Sequence, residues 1–251
     1  MPPFRPVLVL LLLSCLVAGQ LLAGEKARFE PGQIRLLADK VEKILTDRAV
    51  QVAILARMGR PRSELPEGMH FTHASFVVRA AGRGSGYAVY NLYQKKDQPD
   101  TSELVQDFPV DFFATVAELE AGIIIPSTAL QTRLLAVIDS PTYPALHDPR
   151  YSLIANPYTL GRQNCTEFVL DVLQAARHQT GDLDRIKASE KAEFVAQPVH
   201  VNRLKLILAA LFSAEVSLAD QPGPPVTATF ERIGAFLLER DAGSAMLTVL
   251  P

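Results

Sequence analysis

Tryptophan is absent from this chain, and cysteine occurs twice, at positions 15 and 165. Without tryptophan, a surface that stacks sugars has lost its best platform. Charge of one sign is not in excess either: 25 basic residues stand against 27 acidic ones. No basic stripe with interleaved aromatics occurs, which argues against a nucleic-acid partner. Internal repeats and low-complexity tracts are missing too. The apolar runs are short: residues 7–17, and residues 204–212, where Lys205 interrupts. Neither is long enough to span a bilayer comfortably.

The first run has a purpose of its own. Arg5 precedes it, and Ala18-Gly19 and Ala23-Gly24 supply small residues before the charged Glu25-Lys26. This is the layout of a secretory signal peptide over residues 1–24, so a periplasmic or secreted location is expected. Ser14-Cys15 resembles a lipoprotein signal, which would anchor the chain through Cys15. The apolar run continues through Leu16-Val17-Ala18 beyond it, which favours removal of Cys15 with the signal. Residues 25–251 then suffice for one domain with a substantial core. Residues 25–220 are expected to form it, and residues 221–251 to be a C-terminal appendage packed on the same domain.

The pattern alternates between helix and strand. Pro31–Asp47 carries Ile34, Leu37, Ala38, Val41, Ile44 and Leu45 at helical spacing, with the proline at the start. Residues 49–57 read as a buried strand, and 70–79 and 87–93 as a hairpin turning at Gly82, Gly84 and Gly86. Residues 95–102 are a polar loop. A helix over 127–138 has Ser127 as its cap, and residues 140–163 form a long ordered loop. Residues 165–177 are the central helix and 202–217 a further apolar one. Glu231 to Arg240 reads as a helix and 246–250 as a final strand. The fold class expected is α+β, an antiparallel sheet packed on a cysteine-bearing helix.

With Cys15 gone, Cys165 has no partner within the chain. Structural cysteines outside the cytosol usually come in pairs, so nucleophilic catalysis is the leading explanation. In Asn164-Cys165-Thr166-Glu167, Asn164 fits an N-cap and Glu167 a capping-box partner. That places the thiol at a helix N-terminus, whose partial positive charge and free N–H groups favour thiolate. The same groups around Asn164 and Thr166 can stabilise an oxyanion. The rival readings are a small buried hydrophobe and a disulfide between two chains.

A cysteine nucleophile needs a base held by a third group. His178 lies at the far end of the same helix, His147 in the proline-rich loop, and His200 before an apolar helix. His73 is on a strand, and is the best candidate. His70 and His73 are three apart, so on one strand they face opposite ways, and no metal or other cofactor is expected. Depending on the hairpin register, residue 91 or 93 lies opposite His73. Either way Asn91 shares its face and can accept the imidazole N–H. Tyr93, Tyr87 and Gln106 are substitutes for that role.

Thr72-His73-Ala74-Ser75-Phe76 on one strand, a polar residue on the next, and Asn164-Cys165-Thr166-Glu167-Phe168 opening a helix resemble the circularly permuted papain-like hydrolases of the NlpC-type superfamily. In that permuted branch the histidine strand precedes the cysteine helix. More closely, residues 34–176 resemble a family of uncharacterised exported bacterial proteins placed in that fold. The resemblance implies Cys165 as nucleophile, His73 as base and Asn91 as the third residue. It implies a cysteine hydrolase acting on an amide, with a cell-wall peptide or an acyl group as substrate and a possible association with the membrane surface. Two alternatives remain: an acyl-ester hydrolase or acyltransferase, and a non-enzymatic envelope protein with an inert or redox-active thiol.

Overall fold

The computed structural model describes residues 28–80, 86–199 and 213–251. The expected signal peptide, Cys15, the expected hairpin tip, His200 and most of the apolar helix expected over 202–217 lie outside the described residues.

The described chain is α+β. Helix α1 (Pro31–Asp47) leads into strand β1 (Val52–Arg57), then β2 (His73–Arg79), β3 (Tyr87–Gln94) and β4 (Ser102–Asp107). A short α2 (Pro109–Phe112) is followed by β5 (Ala121–Ile125), α3 (Thr128–Ile138) and a short α4 (Thr142–Ala145). Then come α5 (Cys165–His178), α6 (Leu183–Glu193), the two-residue strands β6 (Gln197–Pro198) and β7 (Val226–Thr227), α7 (Phe230–Arg240) and β8 (Ala245–Val249).

Six strands form one sheet in the order β4-β3-β2-β1-β5-β8, with every pairing antiparallel. The sheet separates two apolar layers. On one face α1 and α2 bury Leu37, Val41, Leu45 and Phe112 against Leu55, Val77 and Ile123. On the other face α3, α5, α6 and α7 bury Leu134, Phe168, Ile186 and Phe230 against Ile54, Phe76 and Ile124. Side chains alternate across each strand, so both faces of β1 and β5 are covered, and these strands are apolar except for Arg57 at the end of β1.

The sequence reading placed α1, α3, α5, α7 and the first three strands close to their observed bounds. Residues 103–125 carried no assignment, yet they supply β4, α2 and β5. Helix α6 was likewise not foreseen. The C-terminal residues complete the sheet: β8 pairs with β5 as its outer neighbour, and Phe230 at the start of α7 lies directly over Gly122. A Cβ at that glycine would sit 2.6 Å from the Phe230 ring and 2.7 Å from that of Phe71.

Helix α5 reads as amphipathic, but Cys165 through Ala176 are all buried. Its polar face meets α6 instead of water. Lys187 of α6 donates to Glu167 at 2.8 Å and to Asp171 at 2.6 Å, and lies 3.1 Å from Glu190. Burial opposes the Lys187 charge, and the three carboxylates outweigh it, so its pKa lies well above the usual value. Burial pushes both Glu167 and Glu190 well up, with Lys187 opposing. The expected capping box therefore does not form: Glu167 turns to Lys187 rather than back to the cap.

Candidate active site

Strands β2 and β3 run as a ladder from Arg79↔Tyr87 to Phe76↔Tyr90 and no further. Beyond it, β3 stays paired with β4 as far as Gln94↔Ser102, and β2 stays paired with β1 as far as His73↔Arg57. The sheet thus loses its backbone ladder between the first residues of β2 and the last of β3. Polar side chains fill that interval.

Nε2 of His73 lies 3.2 Å from Oδ1 of Asn91. Asn91 is fully buried, and its amide orientation is fixed from the other side. Nδ2 donates to the carbonyl of Val89 at 3.3 Å and to Asp107 at 3.2 Å. Oδ1 therefore accepts, the proton sits on Nε2 of His73, and Nδ1 is the basic nitrogen. Ser75 also donates to Oδ1 of Asn91, and its hydroxyl is 3.2 Å from Nε2 of His73. Tyr93 stacks on the imidazole, centroids 5.0 Å apart, and donates its hydroxyl to Asp107 at 2.8 Å. Continuing the register of the ladder sets His73 opposite Tyr93 and Asn91 opposite Ser75, so Asn91 reaches His73 diagonally.

Cys165 is the first residue of α5, 6 % exposed. Asn164 caps the helix, accepting from the amide of Glu167 at 2.9 Å. The rest of that side chain is committed as well. Oδ1 accepts from Thr166 at 2.9 Å, and Nδ2 donates to the carbonyl of Leu153 at 3.1 Å and to Thr227 at 3.2 Å. Thr166 donates to the carbonyl of Ala228 at 2.8 Å. These side chains anchor the start of α5 to the C-terminal segment, which leaves the backbone N–H groups as the donors available to an oxyanion.

The amide of Ala74, the residue next to His73, favours the Cys165 thiolate. Cys165 and Ala74 belong to the same apolar layer, with Phe76 and Phe168, whereas His73 packs on Phe112 across the sheet. Cys165 and the His73 ring thus lie toward opposite faces of the sheet, beside the end of the β2–β3 ladder. Among the described residues no hydrogen bond joins Cys165 to His73. His73 and Asn91 are brought together as the sequence reading expects; Cys165 comes to the neighbouring backbone.

Electrostatics correct one expectation. The amides of Ala74, Thr166 and Cys165 and the charge of Arg57 all lower the thiol pKa, but burial outweighs them and the net shift is upward from 9.0. Burial also pushes His73 down to about 3, helped by Arg57 and opposed by the Asn91 bond. The resting pair is neutral thiol and neutral imidazole, not an ion pair. A helix N-terminus lowers a thiol pKa by its local field, but excluding water from the sulfur costs the thiolate more.

Arg57, Ser75, Asp107 and Thr115 belong to this constellation and were not singled out from the sequence. The signal for Arg57 is a charged residue closing an otherwise apolar strand; Asp107 closes a strand that went unassigned. The other described histidines are engaged elsewhere. His147 meets Ser102 at 2.9 Å, His178 lies 3.6 Å from Glu193, and His70 contacts Arg62. A cavity of about 360 Å³ opens beside the first turns of α5, lined by Asp148, Arg162, Gln163, Glu167 and Lys187 among others. Cys165 does not line it.

Among the described residues no group of His, Cys, Asp and Glu side chains is placed to hold a metal ion, and no helix is long and apolar enough to cross a membrane. A family model described as an uncharacterized protein conserved in bacteria (DUF2145) matches residues 44–237, and the chain belongs to that family. Neither the curated proteins nor the solved structures compared with the chain give a match.

Proposed function

We propose that this protein is an exported cysteine hydrolase of permuted papain-like fold that cleaves an amide, with a cell-wall peptide as the first substrate class. The observation that carries the reading is the His73–Asn91 contact of 3.2 Å, which holds the imidazole with Nδ1 basic beside the backbone that the Cys165 sulfur meets. Nδ1 takes the thiol proton as sulfur attacks the carbonyl and returns it to the leaving amine. Water then attacks the thioester, giving a proton through Nδ1 to the departing sulfur and releasing the acid. Backbone N–H groups at the start of α5 stabilise the oxyanion. The imidazole rests neutral with the Nδ1 lone pair free, and its low pKa makes proton transfer from the thiol uphill until sulfur bonds to the carbonyl. Thiolate forms only during attack.

One observation favours a second reading. The thiol pKa lies above 9.0 through burial, as in an inert cysteine of a non-enzymatic binding protein. Turnover separates the two. The full chain, Cys165→Ala and His73→Ala are incubated with peptidoglycan fragments and acyl esters, and new amines, carboxylates and alcohols are quantified by mass spectrometry. Hydrolysis by the wild type that falls by about 10² or more in both variants supports the enzyme. Turnover that survives Cys165→Ala, or no product from any substrate, overturns it.

A further inference from the structure

Arg57 closes β1 opposite His73 in the β1–β2 register, and only 9 % of it is exposed. Nη1 donates to Thr115 at 2.7 Å, while the buried Nε has no hydrogen-bond partner among the described residues. The guanidinium lies 5.4 Å from the Phe112 ring centroid and 5.9 Å from that of Tyr93. Among the described residues no carboxylate forms an ion pair with it, although Arg62, Arg150 and Arg177 all have one. A buried cation without a counterion is costly, and aromatic faces offset only part of that cost. Its charge acts on His73, Tyr93 and Cys165, and its guanidinium lies on the same side of the sheet as the His73 and Phe112 rings.

We propose that Arg57 receives a carboxylate of the substrate, so that Cys165 acts on acyl groups bearing a carboxylate close to the attacked carbonyl. This rests on Cys165 being the nucleophile. The planar guanidinium suits that role because its N–H groups match carboxylate oxygens directionally, and it stays charged when water is excluded. The carboxylate would supply the missing counterion and satisfy Nε. An anionic substrate group is thereby fixed relative to the sulfur before attack.

The test uses two alkylating reagents that differ only in charge. Second-order rates for iodoacetate and iodoacetamide are measured on the full chain at fixed pH and low salt, reading the Cys165 peptide by mass spectrometry. Wild type, Arg57→Gln and Arg57→Lys are compared with a free peptide thiol. The expected iodoacetate-to-iodoacetamide ratio in wild type is about tenfold above that of the free thiol, an effect a single nearby charge can supply. It falls to the free-thiol ratio in Arg57→Gln and is partly kept in Arg57→Lys. A second measurement needs no variant: short peptides with a free C-terminal carboxylate slow iodoacetamide labelling of the wild type, and their amidated forms do not. A wild-type ratio equal to that of the free thiol, with labelling indifferent to peptide carboxylates, overturns the Arg57 role and leaves the nucleophile standing. Labelling by neither reagent overturns both.

Discussion

Asn91 accepts a hydrogen bond from His73 across two strands that have parted, at 3.2 Å, and donates onward to Asp107 at 3.2 Å. Among the described residues the hydrogen-bond partners of the imidazole, Asn91 and Ser75, are both at Nε2, and Asn91 is the one fixed as an acceptor, so the tautomer rests on Asn91. In Asn91→Ala the Nε2 proton loses its acceptor, Ser75 and Asp107 lose a partner, and the basic nitrogen is no longer specified. Turnover is expected to fall by about 10² or more with little change in KM, because the loss falls on proton transfer rather than on binding. Steady-state kinetics check this; an unchanged kcat removes Asn91 from the mechanism.

His73 should show an unusual titration. Its folded pKa of about 3 lies below the ordinary 6.5, so the unfolded chain takes up the proton first. The contribution to stability is present above pH 6.5 and is lost as pH falls from 6.5 toward 3. NMR of the ring protons is expected to show a histidine that stays neutral at pH 5. Urea unfolding of His73→Gln should show a shallower loss of stability over that window than wild type.

Lys187 compensates three buried carboxylates, so Lys187→Met should cost about 3–5 kcal/mol. The folded pKa values of Glu167 and Glu190 are already raised, and removing the cation raises them further. A raised folded carboxyl pKa means stability lost as pH rises, so the penalty should be larger at pH 8 than at pH 5. Adding Glu190→Gln should recover part of it. Denaturant unfolding of the single and double variants gives both numbers.

Gly122 admits the rings of Phe230 and Phe71 against the sheet. Gly122→Ala places a methyl group where both rings stand, with β5 held on both sides by β1 and β8. Overpacking of this kind costs about 1–3 kcal/mol. Thermal unfolding should show the loss, and Phe230→Leu in the same chain should recover part of it.

Much of this molecule was legible residue by residue. The helical spacing of Ile34, Leu37 and Val41 gave α1, Ser127 capped α3 as expected, accepting from the amide of Leu130 at 3.3 Å, and Asn164 capped α5. The two-residue period of a strand put Asn91 on the face of His73 under either register. Strand β5 escaped notice because Ala121–Ile125 is a short apolar run, and length and composition alone do not separate such a run from a buried helical segment.

Local periodicity and capping chemistry are properties of neighbours along the chain, and the sequence determined them: the helix that begins at Cys165, the strand that carries His73, and the face that Asn91 shares. The tertiary structure alone decided the rest. The ladder between β2 and β3 ends at Phe76↔Tyr90, and His73, Ser75, Asn91 and Tyr93 cluster beside that end. Arg57, Asp107 and Lys187 come from strands and helices distant in sequence. The thiol rises above 9.0 instead of falling because water is excluded from it. A charge responds to everything around it in three dimensions, whereas a period records only the next few residues.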